Sequence, residues 1–171
     1  MLIRPAVDAD RPAICRVQQA AARQLAARSY SSEQIEAWIG SVTPDRYADV
    51  LRTHAVVVAE DERGIVIGFG QLDPARGEVD AVYVAPDAAG RGVGALLLLA
   101  LEQVAHNCGI FDLHLIATQN AVRFYERAGY ERECDTIFHA AGGIDLAVVS
   151  MAKRLRAAAP LRPAGLTWLS R

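Results

Sequence analysis

The residues best suited to chemistry lie in one stretch, Val82-Tyr83-Val84-Ala85-Pro86-Asp87-Ala88-Ala89-Gly90-Arg91-Gly92-Val93-Gly94-Ala95. Three glycines at alternate positions join a β-branched segment to a leucine-rich one. Glycine carries no side chain to shield its own backbone, so several N–H groups can converge on one point. A following helix adds unpaired donors and a partial positive charge at its N-terminus. Such a loop is a seat for phosphate, and a pyrophosphate is its usual guest. Gly90, Gly92 and Ala95 also satisfy the dinucleotide pattern GxGxxA, with Asp112 downstream. Three features oppose that reading: Ala85 to Ala89 separate the strand from the first glycine, Asp112 falls near the start of a strand, and a hairpin precedes the loop.

The elements around this loop follow from hydrophobic spacing. Leu2 to Pro5 reads as a short strand. Asp8 or Asp10 can cap a helix in which Ile14, Val17, Ala21 and Leu25 recur at helical spacing. Ser31 and Gln34 form a capping box for a second helix through Trp38, which stops near Gly40. Thr43-Pro44 starts a third, running to about Leu51. His54–Glu60, Ile65–Leu72 and Glu78–Val84 are three strands separated by turns. After the loop come a helix over Ala95–His106, a strand over Phe111–Ala117 and a helix over Asn120–Ala128. Strands near Glu131–Phe138 and Ile144–Met151 close the domain across Gly142-Gly143. The expected organisation is one domain, 1–156, with a C-terminal tail, 157–171.

Composition narrows the function classes. Of 171 residues, 52% are hydrophobic and 22% charged, with a net charge of −2, the balance of a soluble globular chain. That charge offers no attraction to nucleic acid or to an anionic membrane. Cys15, Cys108 and Cys134 are too far apart for a CxxC pair and read as reduced, mostly buried thiols. His54, His106, His114 and His139 lack metal-ligand spacing, so no metal is expected. The N-terminus has no signal-peptide pattern, and the apolar run Val93–Leu101 is too short to span a bilayer. A cytoplasmic setting is expected. The same run is apolar nearly all round, which reads as a buried core helix.

Two separated motifs resemble the GNAT superfamily of N-acetyltransferases. One is the loop, similar to that family's pyrophosphate-binding segment. The other is Asn120-Ala121-Val122-Arg123-Phe124-Tyr125-Glu126-Arg127-Ala128-Gly129-Tyr130, similar to its Asn-Ala-x-x-Phe-Tyr-x-x-x-Gly-Phe/Tyr segment. The match covers about Ala55 to Leu155. Ala89 departs from the family's Gln or Arg at that place. Asn in some members falls where this chain has Thr118, which leaves Thr118 and Asn120 as alternatives facing the cofactor. The resemblance implies an α/β (α+β) GNAT fold: a mixed, mostly antiparallel twisted sheet of six to seven strands, flanked by four to five helices.

It also implies direct acetyl transfer from acetyl-coenzyme A to a primary amine on a small molecule or peptide. The expected cofactor-binding residues are Val82, Tyr83, Val84, Ala89, Gly90, Arg91, Gly92, Val93, Gly94, Ala95, Thr118, Asn120 and Phe124. An N–H at or beside Val84 would receive the developing oxyanion. The strand there would pair with the pantetheine arm. Tyr125 matches the general acid for the leaving thiolate. Adjacent aromatics on a helix point about 100° apart, so Phe124 and Tyr125 should not share one core. Glu78 matches the base, with Asp80 or a water as alternatives. Glu78, Asp80, Val82 and Val84 share parity and should face one side of a regular strand. Tyr30, Trp38 and Tyr47 read as core or as acceptor-pocket lining. His114 has no assigned chemistry. A non-catalytic acyl-coenzyme A sensor, another acyl donor and an oxygen acceptor are the competing readings. A homodimer using the 161–169 segment is a further expectation.

Overall fold

The computed structural model describes residues 1–156; the tail and the 161–169 segment lie outside them. Seven strands, β1 (Leu2–Pro5), β2 (Ala55–Glu60), β3 (Val66–Asp73), β4 (Glu78–Val84), β5 (Asp112–Thr118), β6 (Glu131–His139) and β7 (Asp145–Arg154), form one sheet in the order β1-β2-β3-β4-β5-β7-β6. Every neighbouring pair is antiparallel except β4 and β5, which run parallel.

Helices α1 (Arg11–Leu25), α2 (Ser32–Ile39) and α3 (Pro44–Thr53) cover one face, and α4 (Val93–Asn107) covers the other, with α5 (Val122–Arg127) between β5 and β6. The capping box forms as the sequence requires: Gln34 N–H donates to Ser31 Oγ at 3.2 Å, and Ser31 N–H donates to Gln34 Oε1 at 2.9 Å. Two apolar layers result. Leu97, Leu98 and Leu101 pack with Leu72, Val79, Leu113, Leu115 and Met151 beneath α4. Ile14, Ile35, Ile39, Tyr47, Phe69 and Leu146 form the layer beneath α1–α3.

Several expectations change. Helix α4 starts at Val93, two residues early, because Gly92 at φ +83° supplies a left-handed cap. It is not buried all round, since Leu96 and Leu99 face outward at 42% and 61% exposure. Cys15 is buried, but Cys108 and Cys134 are exposed free thiols. Among the described residues, no helix is long and apolar enough to cross a membrane.

Candidate active site

The sheet opens at β4 and β5. Their only paired residues are Glu78 and His114, with His114 N–H donating to Gly77 O at 3.0 Å. Beyond this point the two strands separate. Ala85 N–H donates to Ile67 O at 2.8 Å, which sets the alternation along β4. Tyr83 and Ala81 bond to β3, while Val82 and Val84 turn their N–H and C=O groups toward the gap. A segment lying in the gap could bond these groups as a missing strand would.

The glycine loop closes one end of this gap. Gly90 and Gly92 adopt φ +76° and +83°, conformations that cost an L-residue about 1–2 kcal/mol. The N–H groups of Gly90 through Ala95 donate to no group among the described residues, and Leu96 N–H makes the first bond of the helix, to Gly92 O at 3.2 Å. Ala89 differs, because its N–H is spent on Pro86 O at 3.3 Å. Six free donors at a helix N-terminus suit an anion. At Gly94 an added Cβ would lie 3.4 Å from Phe124 ring carbons and 3.5 Å from Val84, so the absence of a side chain lets α5 approach the loop.

Helix α5 carries Tyr125 and is pinned at its end. Lys153 Nζ donates to Ala128 O at 2.8 Å and to Glu102 at 2.7 and 2.9 Å, joining α5, α4 and β7. Tyr125 is buried among the residues beneath α4, yet it borders the open cleft. Its hydroxyl has no hydrogen-bond partner among the described residues and is not sealed from the cleft. Burial pushes its phenol well above the ordinary tyrosine value. The expected separation of Phe124 and Tyr125 does not hold. Their rings meet edge to face with centroids 4.9 Å apart, because rings of this size reach across the helical wedge between them.

The cleft has a volume of about 450 Å³ and runs from the β4–β5 gap toward α1–α3. Thr118, at the end of β5, lines it; Asn120 is exposed and does not. Trp38 and Tyr83 form an aromatic wall, with centroids 6.1 Å apart, and Tyr83 stacks on Phe69 at 5.4 Å. Tyr83 therefore turns its ring to the α1–α3 side, and burial raises its phenol to about 12. Tyr47 is core, donating to Gln18 Oε1 at 2.5 Å. Tyr30 is buried as well and acts as a clasp: it donates to Ala147 O at 2.6 Å and accepts from Gln119 N–H at 3.0 Å.

The opposite end of the cleft is acidic, and here the expected parity fails. A bulge in β4 sets Gln71 opposite Ala81 but Leu72 opposite Val79, leaving Asp80 as the extra residue. Val79 therefore joins the layer beneath α4 with Val82 and Val84, whereas Ala81 and Tyr83 join the other layer. Glu78 and Asp80 both line the cleft without sharing a face with Val82 and Val84. Glu78 is ion-paired with Arg76. Asp80 accepts from Gln71 Nε2 at 2.8 Å and lies 3.4 Å from His54 Nε2. Burial raises the Asp80 carboxyl above its ordinary range, and this outweighs the Gln71 hydrogen bond.

His54, Gln71 and Asp73 were not singled out in the sequence. His54 and Asp80 are 26 positions apart, and only the register that sets Ala55 opposite Leu72, together with the bulge, joins them. Among the described residues, no group of three or more His, Cys, Asp or Glu could hold a metal ion.

The model of the acetyltransferase (GNAT) domain matches residues 26–155. The chain belongs to the GNAT acetyltransferase family. A GCN5-related N-acetyltransferase from Rhodopseudomonas palustris is 32% identical, with a TM-score of 0.83 over 90% of this chain and 95% of that one. The ribosomal-protein-alanine N-acetyltransferase from Brucella melitensis is 25% identical, with a TM-score of 0.69 over 91% of this chain and 100% of that one. The structure of yncA from Salmonella typhimurium, with its cofactor acetyl-CoA, is 25% identical, with a TM-score of 0.63 over 93% of this chain and 96% of that one. No curated protein matches. The GNAT acetyltransferase has a seven-stranded mixed sheet and five α-helices, within the six to seven strands and four to five helices expected of it.

Proposed function

We propose that this GNAT protein transfers an acetyl group from acetyl-coenzyme A directly to a primary amine of a small molecule or peptide. The observation that carries the reading is the row of unpaired N–H groups from Gly90 to Ala95 beside the opened edge of β4. A diphosphate fits the first and a pantetheine arm fits the second. The acetyl-CoA recorded with the Salmonella relative supports the same donor.

The residues then have distinct tasks. Gly90, Arg91, Gly92, Val93, Gly94 and Ala95 hold the diphosphate with their main-chain donors. Val82 hydrogen-bonds the arm, and Val84 N–H donates to the carbonyl oxygen as it gains charge. Phe124 packs over Gly94, and Thr118 borders the arm's path. Tyr125 Oη protonates the departing sulfur. Its proton is present at neutral pH as in any phenol, and burial, which holds that proton more tightly, makes its transfer to sulfur more uphill. Glu78 and Asp80 give the far end of the cleft a negative potential, which attracts a protonated amine.

The test is thiol release from acetyl-coenzyme A with spermidine, benzylamine, methionine and a tripeptide bearing a free N-terminus. The reading expects amine-dependent release with an equal amount of N-acetylated product. Acetyl-coenzyme A binding without release by any of these amines would replace it with the sensor reading.

A further inference from the structure

We infer that His54 Nε2, backed by Asp80 and Asp73, is the atom that receives the proton of the acceptor's ammonium group. This rests on the proposed acceptor cleft and names the proton acceptor within it. His54 ends α3 where the chain enters β2, and it lines the cleft with a side chain 22% exposed.

The bonds of the Thr53 hydroxyl favour the tautomer that leaves Nε2 free. Thr53 Oγ1 donates its one proton to Asp49 O at 3.0 Å. Its 2.7 Å contact with His54 Nδ1 is then a bond donated by Nδ1–H to the hydroxyl oxygen. A neutral imidazole with its proton on Nδ1 has its lone pair on Nε2. That lone pair lies 3.4 Å from Asp80 Oδ2 and 3.8 Å from Asp73 Oδ2. Nε2 and the two carboxylates converge on one point, and a proton arriving there is held by all three. Gln71 Nε2 fixes Asp80 from the β3 side at 2.8 Å.

The other charged groups near this point are Glu78 on β4, Arg76 in the β3–β4 turn and Arg46 of α3, which lines the same cleft. Arg76 is paired with Glu78, so Glu78's carboxylate is already matched by a cation, while Asp80 has no Arg or Lys ion pair among the described residues.

An N–H bond of the ammonium breaks and an N–H bond forms on Nε2, while the electron pair stays on the amine nitrogen for attack. The imidazolium passes its proton to solvent through its exposed edge. Tyr125 gives its proton to the sulfur and regains one from the nitrogen of the adduct. The net release is one proton per acetyl group.

Two measurements test the inference. In histidine-15N-labelled protein, with His54 assigned by His54→Gln, the neutral ring should show the Nδ1-protonated tautomer. Asp80→Asn, whose amide can donate to Nε2, should shift the Nε2 resonance. This readout needs no substrate, so it stands apart from whether any amine is acetylated. In turnover with an amine the screen finds active, His54→Gln should lower kcat/KM about 100-fold near neutral pH. The deficit should shrink at alkaline pH, where the amine arrives unprotonated, and the KM for acetyl-coenzyme A should stay unchanged. Added imidazole should restore activity to His54→Ala. An Nε2-protonated neutral ring overturns the inference, as does an equal loss at every pH without imidazole rescue.

Discussion

Glu78 faces His114 across β4 and β5 as their one parallel pair, and the strands part immediately beyond it. That pairing is the hinge point of the site. On one side the sheet is continuous; on the other, the N–H groups of Val82 and Val84 lie open beside a loop of unpaired amides.

Gly92→Ala should weaken cofactor binding without abolishing the fold. The residue sits at φ +83° with open space around a would-be Cβ, so the penalty is conformational and not a clash. It should cost about 1–2 kcal/mol, lowering Tm by a few degrees in a thermal melt. Relaxation of the loop redirects the amides of residues 92–95, so the KM for acetyl-coenzyme A should rise about 10-fold, the factor equivalent to ~1.4 kcal/mol.

Tyr125→Phe removes a hydroxyl that bonds to nothing among the described residues. Stability should barely change, while kcat should fall about 100-fold if the phenol is the acid. Thermal melts and steady-state kinetics on the same preparation separate the two effects. Unchanged kcat would remove Tyr125 from the reaction.

Much of this was legible in the residues. The turn and cap residues predicted the element order, because Ser31, Gly40 and Thr43 act locally. The loop and the Asn120–Tyr130 segment were legible because each carries its chemistry in a contiguous run. The acidic end of the cleft was not. It depends on a bulge that reverses the facing of Glu78, and on a register that carries His54 to Asp80, and neither leaves a signal in a single strand. The contact of Phe124 with Tyr125 escaped for a similar reason, since helical angles ignore how far a ring reaches.

Lys153→Met should destabilise the protein by roughly 3 kcal/mol, because Glu102, only 14% exposed, loses its partner. Chemical denaturation should show a lower midpoint with an unchanged slope. Activity should fall as well, since Ala128 O loses the donor that holds the end of α5 and with it Tyr125.

Alkaline pH should unfold the protein cooperatively. Burial raises Tyr83 to about 12 and holds Tyr47, Tyr125 and Tyr130 higher still. The folded state keeps these protons while the unfolded chain releases them near the ordinary tyrosine value of about 10. Below that pH both states are protonated and the contribution is constant; above it, stability falls with each unit until the folded phenols ionise. Circular dichroism followed from pH 8 to 12 should show loss of structure beginning above about 10.

The most direct measurement is a crystal structure with coenzyme A bound. The account predicts diphosphate oxygens within hydrogen-bonding distance, about 3 Å, of the N–H groups between Gly90 and Ala95. It also predicts the pantetheine arm alongside Val82 and Val84, and the sulfur beside Tyr125 Oη. A diphosphate seated away from that loop, or an arm outside the β4–β5 gap, would contradict it.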